Sequence, residues 1–104
     1  MNITDYVIVL GVDARYRVRF ETAVGIVTEF VIQLEYHAPT EWIPVTRYDN
    51  AHGFAHCDEY GPSGVVNQHQ PMHMSDFGRA MNVAIQTIQD DWETLVAPFR
   101  EARP

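Results

Sequence analysis

The sequence predicts an α+β fold in which an antiparallel β-meander of about five strands packs on one long C-terminal α-helix. Two observations predict it. Residues 1–72 alternate apolar or β-branched runs with short turn segments, and residues 75–97 carry apolar side chains at spacings of three and four. Short connections join neighbouring antiparallel strands, so the runs are expected to pair in chain order. The 104 residues allow one hydrophobic core, and a single domain over 1–104 is expected.

The first two predicted strands differ in character. Residues 6–10 form a continuous apolar and β-branched run, which indicates a short buried strand that ends at Gly11. Residues 15–20 alternate strictly between arginine at odd positions and Tyr, Val or Phe at even positions. Because successive strand residues point to opposite faces, the arginines share one face and the apolar residues share the other.

Residues 26–36 form the next predicted strand, which brings carboxylates toward these arginines. If Phe20 and Ile26 flank the turn on the core side, odd residues of the two strands oppose one another. The arginines then share a face with Glu29 and Glu35. We therefore favour a ladder of opposite charges over contact with an RNA backbone for this stripe.

Three further runs complete the predicted sheet. Residues 41–48 form a long strand in which Pro44 cannot donate to a ladder, so the strand lies at an edge there or carries a bulge. Residues 54–60 form the next strand, which runs antiparallel to the strand at 41–48. A turn at 61–64 then leads into a short last strand at 65–68.

The helix is predicted over 75–97, with Ser75 as its N-cap and Asp76 in its first turn. Pro98 fits a stop or a kink near its end. One face carries an apolar stripe, formed by Phe77, Met81, Ala84, Ile85, Ile88, Trp92 and Leu95. The stripe and the apolar face of the sheet each need a partner, so we expect each to cover the other.

The charge balance restricts the classes of function. Seven basic residues, all of them arginine, against 14 acidic residues give a net charge of −7 with histidine counted as neutral. This balance argues against binding along the phosphates of a nucleic-acid duplex. The beginning of the sequence has no basic leader and no apolar run that could span a bilayer, so we expect a cytoplasmic protein without a membrane partner.

Residue types that carry chemistry concentrate between positions 47 and 60. If the chain around His56 is extended, His56 and Asp58 point to one face of the strand. The hairpin that contains them can gather five side chains at one end of the sheet, namely Arg47, Asp49, His52, His56 and Asp58.

A catalytic interpretation of this group assigns proton transfer to His52 and His56. Arg47 would bind an anion, and Asp49 or Asp58 would orient an imidazole. Such a set suits cleavage of an RNA phosphodiester without a metal cofactor.

Two other interpretations stay open. In one, a divalent metal is bound by His52, His56 and one of His69, His73 or Asp58. In the other, the group is structural: Asp49 and Asn50 form an Asx turn after the strand at 41–48, and Arg47 pairs with Asp49 or Asp58.

The segment 42–58 resembles that of small uncharacterised prokaryotic proteins that carry an R-Y-D-x-A-H-G-x-x-H-x-D block before a long Trp-containing helix. The block is present here as Arg47, Tyr48, Asp49, His52, His56 and Asp58. The segment is similar, more distantly, to the TumE-like toxins of toxin–antitoxin systems, which carry R-Y-D-N-A followed by histidines. The resemblance covers the second half of the chain and implies a toxin-like role, with a protein partner encoded nearby.

We therefore expect a small prokaryotic toxin-like protein that acts on RNA. The alternative is a non-enzymatic, antitoxin-like or inhibitory module whose acidic surface occupies a basic protein partner. A pocket that unites Arg47, His52 and His56 would favour the enzyme, whereas scattered histidines would favour the module. An edge strand near Pro44 and exposed methionines at 72 and 74 would permit a homodimer.

Overall fold

The computed structural model describes residues 1–102 as one antiparallel sheet backed by one helix. The sheet pairs its strands in chain order. Its elements are β1 (Asn2–Val9), β2 (Ala14–Ala23), β3 (Ile26–His37), β4 (Trp42–Asp49), β5 (His56–Tyr60), β6 (Val66–Pro71) and the helix α1 (Phe77–Glu101). The predicted α+β meander is confirmed. It has six strands, one for each of the six runs identified in the sequence, where about five were expected in total.

The two faces of the sheet differ because the predicted register of β2 and β3 is correct. Odd residues oppose odd residues from Arg15 and Glu35 onward, until a bulge follows Glu21. The even positions point toward the helix, where Val18 and Ile32 are both 0% exposed. The face opposite α1, here called the open face, carries the odd positions of β2 and β3.

The ends of α1 differ from the prediction. Asp76, rather than Ser75, is the N-cap, and its Oδ1 accepts a hydrogen bond of 3.1 Å from the N–H of Arg79. The helix does not end before Pro98 but continues through it to residue 101. Phe99 is buried there against Tyr36, with ring centroids 6.0 Å apart, and this contact stabilises the last turn where proline lacks an N–H.

Strand β1 is longer and far more exposed than the buried strand predicted at 6–10. All its residues are exposed, and Val9 reaches 73%. The helix packs on β3, β4 and β2, so β1 extends past the area that α1 covers and forms one edge of the sheet. The β-branched composition therefore predicted the strand but not its surroundings.

Both features predicted for Pro44 are present in β4. The register of β3 and β4 shifts after Leu34, and Glu35 opposes Pro44 at this bulge. Strand β5 pairs with β4 only from Thr46 to Asp49, so no second neighbour pairs with β4 at the proline.

The sequence also predicted an exposed methionine patch and no membrane-spanning segment. Met72 and Met74 are half-buried and pack against the core, so the exposed methionine patch expected there is wrong. Within residues 1–102, no helix has the combination of length and apolar character that crossing a membrane requires.

Truncation of the helix core tests the packing of α1 on the sheet. Ile88 is 0% exposed, so Ile88→Ala should lower the free energy of unfolding by about 2–5 kcal/mol. Val83 lies on the same helix at 38% exposure, and Val83→Ala should change it by less than about 0.5 kcal/mol. Urea unfolding, monitored by circular dichroism, measures the free energy of unfolding of both variants. Equal losses would contradict this packing.

A like-charge pair tests the register of β2 and β3. Glu29 opposes Glu21, and hydrogen bonding to that carboxyl together with its charge raises the pKa of Glu29 above its ordinary value. A raised carboxyl pKa in the folded state means that ionisation at neutral pH lowers stability, and that this loss is relieved as the pH falls. Glu29→Gln should therefore raise the Tm at pH 7, with little change at pH 3.

The control for this measurement is Glu41→Gln, which removes a carboxylate from the exposed turn before β4. Its Tm should follow that of the wild-type protein at pH 7. A lower Tm for Glu29→Gln at pH 7, or a gain of the same size at pH 3, would be inconsistent with the pairing of the two glutamates.

Candidate functional site

Two rows of side chains cross the open face. Residues directly opposite one another on paired strands share a face, so the register defines each row. The first row runs through Arg17, Gln33, Arg47, Asp58 and His69. The second row runs through Arg19, Val31, Asp49, His56 and Pro71. With strands about 4.8 Å apart, each row spans about 20 Å from β2 to β6.

Asp49 connects the members of the site. Its Oδ2 accepts a hydrogen bond of 2.8 Å from Nε of Arg47, and its Oδ1 accepts one of 3.0 Å from the N–H of Ala51. Oδ1 also lies 3.0 Å from Nε2 of His56. Burial alone would raise the pKa of this carboxyl, but the two hydrogen bonds and the charge of His56 lower it below its ordinary value. Asp49 is therefore a buried anion shared by a guanidinium and an imidazole.

The segment after β4 is held over the site by the side chain of Asn50. Its Oδ1 accepts a hydrogen bond of 3.0 Å from the N–H of Phe30, and its Nδ2 donates one of 3.0 Å to the carbonyl of Thr28. The contact from Ala51 to Asp49 is the predicted Asx turn. The structural interpretation of this segment is thus correct in part, and the turn itself helps to position Asp49.

The ring of His56 is enclosed by other rings. It is 2% exposed, and its centroid lies 5.7 Å from that of His52, 5.5 Å from that of Phe54 and 4.7 Å from that of His69. Its Nδ1 lies 3.2 Å from the carbonyl oxygen of Phe54, which fixes the orientation of the ring. The imidazoles that solvent reaches at this point are those of His52 and His69.

His69 joins the site from β6 and was absent from the predicted catalytic group. It lies opposite Asp58, and its Nδ1 is hydrogen-bonded to Oδ1 of that carboxylate. Half of its side chain is exposed. The turn predicted at 61–64 was the signal for it, because a hairpin brings the residues after that turn alongside 56–60. We call His52, His56, Asp58 and His69 the histidine cluster.

All five residues of the predicted catalytic group lie together. Arg47, Asp49, His52, His56 and Asp58 are connected through the contacts above and the 3.9 Å between Nε2 of His56 and Oδ2 of Asp58. His73 lies apart, since it lines a cavity of about 570 Å³ beside residues 53–55. Cys57 opposes Tyr48 in the register, and burial raises the pKa of its thiol to about 11, so it is not a nucleophile candidate.

An open depression of about 280 Å³ adjoins the histidine cluster on the same face. We call it the arginine depression, and its lining residues are Asp5, Arg17, Arg19, Val31, Gln33 and Arg47. It presents three guanidinium groups and one carboxylate in a chain whose net charge is −7. Three of the seven arginines therefore lie together here, with Asp49 and Glu21 in contact with two of them.

The arginines of β2 have different partners. Arg15 donates to Glu35 at 2.6 Å, which confirms the predicted charge ladder at that position. Arg19 comes within 3.9 Å of Glu21 on its own strand instead of pairing with Glu29. Among residues 1–102, Arg17 has no carboxylate within 4.0 Å. The charge ladder is thus incomplete where the depression lies.

The full length of the chain, residues 1–104, matches a family described as a domain of unknown function, DUF7718, and the chain belongs to that family. The chain has no significant match among curated proteins or solved structures. The family assignment agrees with the resemblance to uncharacterised proteins that the sequence block indicated. The similarity to TumE-like toxins stays a proposal.

Removal of the central charge tests the connections made by Asp49. Asp49→Asn should lower the free energy of unfolding by about 1–3 kcal/mol at pH 7, because it weakens buried hydrogen bonds to a charged group. Glu59→Gln is the control, since Glu59 is exposed on the adjacent strand β5 and should change little. Equal stabilities of the two variants by urea unfolding would contradict the structural role of Asp49.

Proposed function

We propose that this protein is a toxin-type ribonuclease that binds single-stranded RNA in the arginine depression and cleaves it at the histidine cluster. One observation carries the proposal: Arg47 lines the depression and also belongs to the hydrogen-bonded group that contains His56. A phosphate bound by Arg47 would therefore lie beside exposed imidazoles. Anion binding and proton transfer next to each other are what phosphodiester cleavage requires.

The depression supplies the contacts to the RNA backbone. Guanidinium groups bind phosphate oxygens through paired N–H donors. Arg47 uses Nε for Asp49, and no described residue accepts a hydrogen bond from its other N–H groups. Arg17 and Arg47 are two strands apart in the same row, so their main chains are about 10 Å apart. They can therefore bind different phosphates of one strand.

The two exposed imidazoles supply the proton transfers. His69, oriented by Asp58 through Nδ1, takes the proton from the ribose 2′-hydroxyl, whose oxygen then attacks the adjacent phosphorus. The bond from phosphorus to the 5′-oxygen breaks, and His52 donates a proton to that leaving oxygen. The products are a 2′,3′-cyclic phosphate and a 5′-hydroxyl, so atoms and charge balance without an oxidant or a metal.

His56 has a supporting role in this proposal. A ring that is 2% exposed and covered by three other rings does not reach an RNA strand on the surface. It is therefore a positioning residue that holds Asp49, and Asp49 in turn holds Arg47. The sequence hypothesis assigned proton transfer to His52 and His56, and the proposal keeps His52 and replaces His56 with His69.

Part of the acidic charge lies away from the depression, which is compatible with an RNA substrate. Asp90, Asp91 and Glu93 are exposed on α1, and α1 covers the face of the sheet away from the depression. The alternative, an acidic module that occupies a basic protein, would use that helix. The grouping of histidines beside arginines favours the enzyme, which would act in the cytoplasm and be inhibited by a protein partner encoded nearby.

Cleavage of a labelled single-stranded RNA in the presence of EDTA tests this function. The wild-type protein should cleave it and leave the same sequence in DNA intact, because the reaction needs a 2′-hydroxyl. His69→Gln should lower the rate by about 10²- to 10⁴-fold. Arg17→Gln should weaken RNA binding, whereas Arg79→Gln, an exposed arginine of α1, should match the wild type.

Two results would contradict the proposal. One is no cleavage by the wild-type protein above a buffer control, and the other is cleavage by His69→Gln at the wild-type rate. Expression in a bacterial host tests whether the protein acts as a toxin. Growth should slow with the wild-type protein and not with His69→Gln, at equal amounts of folded protein.

A further inference from the structure

We infer that the histidine cluster is also a binding site for one divalent transition-metal ion, with His56, Asp58 and His69 as its protein ligands. Each of the three side chains offers one ligand atom, and these atoms lie within 4.8 Å of one another. Two imidazoles and a carboxylate form a donor set that suits zinc and similar ions. The inference concerns ion binding and stands independently of RNA cleavage.

The two ring nitrogens of His56 face different partners, and one of them lies among the carboxylates of the site. Its Nδ1 lies 3.2 Å from the carbonyl oxygen of Phe54, an acceptor, so this nitrogen carries a hydrogen. Its Nε2 faces carboxylate oxygens, with Asp49 at 3.0 Å and Asp58 at 3.9 Å, and in the charged ring it donates a proton to Asp49. A metal ion bound at Nε2 would take the place of that proton and would likewise bring positive charge to the two carboxylates.

The surroundings of the cluster match those of metal-binding histidines. A metal-ligating imidazole usually donates its other N–H to a backbone carbonyl or a carboxylate, as Nδ1 of His56 does to Phe54. Asp49 adds negative charge next to the ligands and is itself held by Arg47 and Ala51. These neighbours would fix the ring and would raise the affinity for a cation.

The distances require only small movements. Ligands around a tetrahedral zinc ion are about 3.4 Å apart, given metal–ligand bonds near 2.1 Å. Nε2 of His56 and Oδ2 of Asp58 are 3.9 Å apart, so they would approach slightly. His69 lies on β6, whose residues are all exposed, and it can adjust and admit the ion from solvent. Three protein ligands would leave one position for water or an anion.

The inferred ligand set differs from the one considered from the sequence. His52 stacks on the ring of His56 with an interplanar angle of 24°, and it is not among the side chains whose ligand atoms converge. His73 lines the separate cavity beside residues 53–55. The pairing of β5 with β6 instead brings Asp58 and His69 together, two of the three alternatives that the sequence offered for the third ligand.

Metal titration of the full chain, stripped of metal and freed of chelator, tests the inference. Calorimetric titration with ZnCl₂ should give one ion per chain, and CoCl₂ should give the visible absorption of a low-coordinate cobalt site. His69→Ala and Asp58→Asn should each weaken zinc binding by at least about tenfold. His73→Ala is the matched control and should bind as the wild type does.

His69 and Asp58 are chosen because they are more exposed than His56, and circular dichroism of each variant verifies its fold. Absence of stoichiometric binding by the wild type would overturn the inference, as would unchanged binding by both ligand variants or an equal loss in His73→Ala. The titration contains no RNA and the cleavage assay contains EDTA, so failure of one proposal is distinguishable from failure of the other.

Discussion

The structure depends on a single constraint, which is that one helix covers one face of a six-stranded sheet. Apolar side chains must therefore lie on alternate positions and stay in register across the central strands. Among residues 1–102, no second layer covers the other face, which can carry charged groups only if they satisfy one another or reach solvent. The strand residues of the candidate site are grouped by the side of the sheet on which they lie, and His52 joins them from the segment after β4.

The open face is not simply solvated, because it buries two carboxylates. Glu35 is 5% exposed and Asp49 is 4% exposed. Glu35 accepts from Arg15 and Gln33, and Asp49 accepts from Arg47. Both arginines donate through Nε, an atom that lysine does not have. This geometry gives a physical reason for arginine at these positions, since a guanidinium that uses Nε for structure keeps further N–H donors for an anion.

The sequence contains enough information to predict the central sheet and the core of the site. The strict alternation of residues 15–20 and the apolar even positions of β3 specify the register of β2 and β3. The hairpin of β4 and β5 then brings Arg47, Asp49 and His56 together. The position of His69 on the open face could not be predicted from the sequence in the same way. All residues of β6 are exposed and mostly polar, so no apolar pattern specifies which face each of them takes. The exposure of β1 was not predicted for a related reason. The composition of a strand does not indicate whether the helix covers the part of the sheet in which that strand lies.

The order of the elements along the chain has a consequence for biosynthesis. All six strands precede α1, so the complete apolar face of the sheet is made before the segment that covers it. Each strand pairs with its neighbour in sequence, and the hairpins can form locally as the chain emerges from the ribosome. Until residues 77–101 follow, a nascent sheet exposes Val18, Ile32 and Leu34 to solvent, and such a surface binds chaperones and promotes aggregation.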